Sequence, residues 1–215
     1  MIISHGRKYI FVHIPKTGGT SLSLALENKA MKDDVLIGDT PKAKNRRSRL
    51  KNVKASGRLW KHARLTDVYG LITQEQIEQY FVFTIVRNPW DRVVSYYHWL
   101  KKQTFDHPAV KIAQSMPFAD FLRNGMMQRS FKNDAAKSYV MDHDGMDRCN
   151  LYLRLEHLAQ DAQILETTLG FKLGELPHDN KSQRDKEYSK YYDDTGREII
   201  AAAFEEDINR FGYEF

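Results

Sequence analysis

The chain has 215 residues, 41% of them hydrophobic, and a formal net charge of +5 at pH 7. That length suits one domain, residues 1–215, with a sizeable core, and no apolar run is long enough to cross a bilayer as a helix. A single cysteine, Cys149, excludes an internal disulfide, fits a reducing compartment and reads as a core residue beside Leu151, Tyr152 and Leu153.

In chain order, the stretch MIISHGRKYIFVHI lacks a basic leader region, a long apolar segment and a small-residue cleavage site, so it reads as the first strand, buried over Tyr9–Ile14. Pro15 stops it. Gly18 and Gly19 allow a tight turn with close backbone approach, and Thr20 and Ser21 open a helix reaching about Met31. Strand, glycine turn and helix start together make an anion site, because unpaired N–H groups and the positive helix end point at the turn. Lys16 adds a full charge, and Thr17, Thr20 and Ser21 add hydroxyls. The motif is not a Walker A loop, whose lysine follows the last glycine; Lys16 precedes both, which disfavours a nucleotide kinase.

Val35–Ile37 suggests a short strand. From Thr40 to Thr66 there is no acidic residue but ten Lys or Arg, and outside this stretch the chain carries 23 basic against 28 acidic side chains. Pro41–Ser56 has no sustained period and reads as loop. The stretch fits a solvated loop, and equally a groove wall for an anionic partner. Leu59–Gly70 contains His62. Ile72–Gln79 reads as a short helix with Thr73 and Gln76 at capping-box spacing. Phe81–Val86 is an unbroken apolar run, the natural central parallel strand. Asn88-Pro89 starts a helix to about Lys102. Phe118–Leu122 and Leu158–Leu169 read as helices, the second closed by Gly170. Leu151–Leu155 reads as a strand, and Thr195–Phe211 as one final amphipathic helix. Strands alternating with helices predict an α/β fold with a parallel sheet.

Arg87 falls at the C-terminal end of the presumed central strand, where open α/β sheets bind ligands, and offers a planar fork suited to a phosphate. Ser95 follows on the next helix, sharing a face with Arg92. On chemistry alone, a strand-end salt bridge for Arg87 and a packing role for Ser95 stand equally. Of the aromatic residues Trp90, Tyr96, Tyr97 and Trp99 on this helix, most are expected in the core.

PKTGGTS at Pro15–Ser21 and RNPWDRVVSYY at Arg87–Tyr97 together resemble the 5′-phosphosulfate loop and 3′-phosphate motif of the sulfotransferase superfamily. RLEHLAQD at Arg154–Asp161, and NKSQR at Asn180–Arg184 followed by EEDINRFGY, resemble later segments of its carbohydrate-type (family 2) branch. The resemblance implies a three-layer α/β sandwich with a central parallel sheet of about four or five strands and a P-loop-like phosphosulfate loop. It implies 3′-phosphoadenosine 5′-phosphosulfate as donor and adenosine 3′,5′-bisphosphate as product; no metal is expected, because the histidines after Arg87 pair with no Cys, Asp or Glu at a zinc spacing. Lys16, Thr17, Gly18, Gly19, Thr20 and Ser21 would hold the 5′ side, Arg87 and Ser95 the 3′-phosphate, and Lys181, Ser182 and Arg184 would close over the donor. Lys16 and His62 would be catalytic, with His62 as base; Lys61 and Arg64 beside it are expected to lower its pKa. The implied acceptor is a hydroxyl, on a carbohydrate or glycolipid that the basic stretch suits if anionic. No nucleic-acid partner is implied. Peripheral membrane contact is compatible with the charge, and a chain complete as given would be cytoplasmic. Two rivals are a P-loop-type kinase and a non-enzymatic polyanion-binding protein.

Overall fold

In the computed structural model, which describes residues 1–174, 185 and 187–215, the strands are β1 (Ile2–Ser4), β2 (Tyr9–Val12), β3 (Val35–Leu36), β4 (Phe81–Val86) and β5 (Cys149–Arg154). The helices are α1 (Gly19–Asn28), α2 (Pro41–Arg46), α3 (Gln74–Gln79), α4 (Pro89–Leu100), α5 (Pro108–Ser115), α6 (Phe118–Arg123), α7 (Gly125–Lys132), α8 (Lys137–Val140), α9 (Leu158–Leu169), α10 (Asp194–Ala203) and α11 (Glu205–Phe211). The chain divides into two compact units, Met1–Val86 with Ala136–Asp179, and Arg87–Ala135 with Asn180–Phe215.

The first unit holds the whole sheet, in the order β3-β1-β2-β4-β5. β2, β4 and β5 are parallel neighbours, whereas β1 runs antiparallel to β2 and β3. The N-terminal stretch is therefore a hairpin and not one strand: Ser4 pairs with Tyr9, and the turn between them ends at Lys8 in the left-handed region, φ 53°. This makes the sheet mostly, not wholly, parallel. The period of two decides the packing. Tyr9 and Phe11 on β2, Phe83 and Ile85 on β4 and Leu153 on β5 share one core with Leu22, Ala25 and Leu26 of α1 and Leu165 of α9. Phe11 lies opposite Phe83 in register, their ring centroids 5.5 Å apart. Ile10, Val12, Val82 and Thr84, the alternating positions, are buried too, so both faces of the sheet are covered, as its continuous apolar runs require. Thr84 keeps its hydroxyl satisfied by donating to the Val12 carbonyl at 2.7 Å.

The basic stretch is more ordered than its composition suggests. Thr40 caps α2, its Oγ1 accepting from the Ala43 N–H at 3.1 Å and donating to the buried Glu27 carboxylate at 2.8 Å, with Pro41 at the first helical position. Lys42 donates to the Glu27 carbonyl at 2.5 Å, Arg46 to those of Met31 and Asp34 at 2.8 and 3.1 Å, and Arg49 to that of Lys32 at 2.5 Å. These are carbonyls at and beyond the C-terminal end of α1, where basic side chains add bonds to acceptors such as Glu27 and Met31 that already take a backbone N–H. The expected loop over Pro41–Ser56 is thus helical through Arg46, then a 3-10 turn over Arg47–Leu50.

In the second unit Asn88 caps α4, its Oδ1 accepting from the N–H groups of Trp90 and Asp91 at 3.1 and 3.4 Å. Trp90, Val93, Val94, Tyr97 and Leu100 bury one side of α4 against α5, α6, α7 and α10. Arg92, nearly buried, pairs with Asp134 at 2.7 Å. The single final helix expected over Thr195–Phe211 is two. Phe204 leaves helical geometry at φ −120°, ψ 28°, and its ring is buried in that cluster.

The carbonyl-binding roles give a stability prediction. Lys42→Ala and Arg46→Ala should each cost about 1 kcal/mol in urea denaturation, the usual worth of a hydrogen bond. Arg47→Ala, with no such bond among the described residues, should stay within about 0.5 kcal/mol of the parent. Equal losses at all three positions would refute the assignment.

Candidate functional site

The first unit builds an anion cradle where β2 runs into α1. Thr17 is buried and its hydroxyl donates to the Ile14 carbonyl at 2.9 Å, folding the loop back on the strand that leads into it. The Thr17 hydroxyl proton is therefore committed to the fold, and the loop's remaining donors are N–H groups and the Thr20 and Ser21 hydroxyls. Lys16 adopts a left-handed backbone, φ 64°, which costs a residue with a Cβ of order 1 kcal/mol. Gly18 follows at φ 84° as the N-cap of α1, with no side chain to satisfy the first-turn N–H groups. The Ser21 N–H makes only a 3.3 Å bond to the Gly18 carbonyl.

Sterics reserve both glycine positions. A Cβ on Gly18 would lie 2.7 Å from Leu155 Cδ1, and one on Gly19 would lie 2.4 Å from Cδ2 of His13. The backbone is thereby kept bare where helix dipole, N–H groups and Lys16 converge. Such a cradle fits a phosphate or sulfate group.

His62 is brought to this loop. Its Nδ1 donates to the backbone carbonyl of His13 at 2.8 Å. A carbonyl only accepts, so the proton sits on Nδ1 and Nε2 is left as the basic nitrogen. The His62 ring meets that of His13 edge-on at 4.7 Å between centroids, and that of Trp60 at 5.1 Å. Burial pushes the His62 pKa down to about 3, with Lys61 adding to the effect. The expectation holds for Lys61, but desolvation is the larger cause.

His13 is the residue that sequence reasoning missed. It is buried, its pKa held well below the usual histidine value by desolvation and then by His62. Its ring stacks on Phe11 at 5.8 Å and stands against Gly19. The available signal was its place two residues after Phe11, on the side of β2 that faces the core, just before a glycine loop.

In the second unit, Arg87 follows β4 directly and bonds Asp91, with Nε at 2.9 Å and Nη2 at 2.6 Å from Oδ2. Ser95 is buried on α4. Arg92 is engaged by Asp134. Trp90 and Tyr97 are core residues, as expected, while Trp99 is exposed. Lys181, Ser182 and Arg184 lie outside the described residues. At the end of β5, Arg154 is fixed by Asp161 through its N–H at 2.8 Å and its guanidinium at 3.2 Å. Among the described residues, no helix is long and apolar enough to cross a membrane.

The neutral histidines give a pH signature. His62 prefers to be neutral in the folded chain, with a pKa near 3 against about 6.5 unfolded. Its stability contribution is therefore complete above pH 6.5 and is lost as pH falls toward the folded value. His13 acts in the same direction. Each should cost up to about 1.4 kcal/mol per pH unit below 6.5. The buried Met1 amino group, its pKa lowered to about 5 by desolvation, adds to the same slope; between pH 6.5 and 5, where most carboxylates stay ionised, the melting temperature should fall, and His62→Gln should remove about a third of that slope. An unchanged slope in the variant would show that His62 is not buried neutral.

Comparison with known proteins adds an independent line. A family model described as "Sulfotransferase family" matches residues 1–214. No curated protein matches the chain. Among solved structures, mouse sulfotransferase SULT7A1 complexed with PAP aligns over 96% of this chain and 85% of its own, at 15% identity and a TM-score of 0.48. The family match spans the strand–loop–helix cradle, His62, Arg87 and nearly everything after them, so this chain belongs to the sulfotransferase family.

Proposed function

We propose that this protein transfers a sulfuryl group from 3′-phosphoadenosine 5′-phosphosulfate to a hydroxyl of a carbohydrate or glycolipid acceptor. The observation that carries the reading is His62, held with Nε2 unprotonated by the residue that leads into an anion cradle. The family match supports the reaction class.

The donor, when bound, supplies the sulfuryl group and departs as adenosine 3′,5′-bisphosphate. Lys16 neutralises charge on the phosphosulfate side, and the N–H groups of Gly18, Gly19, Thr20 and Ser21 bind the 5′-phosphate. Arg87 and Ser95 bind the 3′-phosphate, with Asp91 fixing the plane of the Arg87 fork. Lys181, Ser182 and Arg184 are assigned to the donor by sequence resemblance alone.

His62 takes the acceptor proton at Nε2 as the oxygen attacks sulfur. Its low pKa makes it a weak base in the ligand-free protein. An anionic group at the neighbouring loop favours the imidazolium and raises its proton affinity when the reaction needs it. The Nδ1–H bond to the His13 carbonyl holds the ring in the same tautomer throughout, and strengthens once the ring is charged.

Two measurements test this. Adenosine 3′,5′-bisphosphate in large excess over its dissociation constant should stabilise the protein by about 2–4 kcal/mol. The 5′-monophosphate should do much less, lacking a group for Arg87 and Ser95. Equal stabilisation would remove the 3′-phosphate assignment.

The second measurement separates binding from chemistry. Lys16→Ala should lose both bisphosphate affinity and sulfate transfer to a responsive carbohydrate. His62→Gln should keep affinity and lose turnover by about 10²–10⁴-fold. Near-parental turnover in His62→Gln would place the base elsewhere.

A further inference from the structure

The ten basic residues of the stretch Thr40–Thr66 do not act alike. Lys42, Arg46 and Arg49 are spent on main-chain carbonyls. Lys61 is held by Asp39 at 2.7 Å. Arg64 lies over the Tyr139 ring, 5.3 Å from its centroid. Lys44, Arg47, Lys51, Lys54 and Arg58 have no carboxylate partner among the described residues, and two of these, Arg47 and Arg58, are set apart by their place. Both line one cavity of about 270 Å³ whose wall also includes Leu50, Leu59, Trp60 and Lys61.

That cavity combines two kinds of surface. Trp60 is 41% exposed, unusual for so large an apolar ring, and the Arg58 guanidinium stands 5.4 Å from its centroid. The indole suits the C–H face of a sugar ring, and the guanidinium groups of Arg47 and of Arg58, the latter lying over the indole, suit a carboxylate or sulfate on it. Asp39, the acidic residue on the wall, is already neutralised by Lys61. The volume is near the lower end for small-molecule sites and suits one ring more than an extended chain. Its position ties it to the chemistry, because Trp60 touches His62 edge-on at 5.1 Å.

We infer that the cavity formed by Arg47, Arg58 and Trp60 is the acceptor subsite, and that it selects a saccharide unit carrying an anionic group. The inference rests on the sulfotransferase reading and deepens it: Trp60 seats the ring beside the base, while Arg47 and Arg58 read its charge. Lys42, Arg46 and Arg49 are scaffold.

The test uses the full chain with saturating adenosine 3′,5′-bisphosphate at physiological ionic strength. The probes are a tetrasaccharide alternating glucuronate and N-acetylglucosamine, a 6-O-sulfated tetrasaccharide of N-acetylglucosamine, and its neutral parent. Calorimetry should show at least one anionic probe binding about tenfold or more tighter than the neutral one, as charge-assisted bonds to arginine allow. The two anionic arms tell carboxylate from sulfate recognition. The double variant Arg47→Ser/Arg58→Ser should bring the anionic probes down to the neutral level, and Trp60→Ala should weaken all three. Every variant should keep the thermal shift with adenosine bisphosphate, which also shows that it folds. Equal binding of charged and neutral probes, no binding of any probe, or anionic preference surviving the double variant, each overturns the proposal. Loss of the bisphosphate shift in the parent protein overturns the underlying donor reading instead.

Discussion

The hydrogen bond from His62 Nδ1 to the His13 carbonyl joins the two halves of the chemistry in the first unit. His13 directly precedes the turn into the glycine loop, and its ring is the surface against which Gly19 must be bare. One residue therefore sets three things: the tautomer of the base, its distance from the cradle, and the identity of a loop glycine. A backbone acceptor suits the task. A carboxylate in its place would raise the imidazole pKa and add negative charge beside an anion site. The carbonyl orients the ring and leaves the charge balance to Lys16 and the helix start.

Burying two imidazoles side by side follows the same logic. Neutral at physiological pH, they leave the cradle uncharged apart from its lysine and its backbone dipoles, and they cost stability only when acid forces protons on them. The strained backbone at Lys16 belongs to the same arrangement. A non-glycine residue in the left-handed region is a local cost that the surrounding packing has to hold. Here the Thr17 bond to Ile14 and the closely packed glycines that follow do so.

Much of the fold was legible because it is written in local grammar. Thr73 and Gln76 form the reciprocal capping box read from their spacing. Asn88-Pro89 starts α4, and Gly170, left-handed at φ 73°, ends α9. Misreadings came where the deciding contact is distant in sequence. The turn His5–Lys8 splits what reads as one apolar N-terminal strand, and only pairing of Ser4 with Tyr9 reveals the hairpin. Thr40-Pro41 carries the same start signal as Asn88-Pro89. The residues after it show no apolar period, because their long side chains reach across to α1 carbonyls and do not pack on a core. No proline or glycine marks the break at Phe204; the demand of its ring for burial sets it.

The candidate site divides along the same line. The cradle could be read from PKTGGTS because strand, glycine turn and helix start are contiguous in the chain. His62 could be found only through family resemblance, since nothing in its neighbours predicts burial within a run of cations. A histidine at the end of an apolar strand reads as packing, and the packing of His13 is what positions the loop. The basic stretch carries the same lesson for charge. Composition counts ten equivalent cations, but a cation's work is fixed by what it can reach. Lys42, Arg46 and Arg49 bind carbonyls of α1 and of the segment after it, Lys61 meets Asp39, and Arg47 and Arg58 face a cavity. Charge density alone would have assigned all ten to one anionic partner. Geometry places Arg47 and Arg58 on that cavity, beside the tryptophan that touches the base.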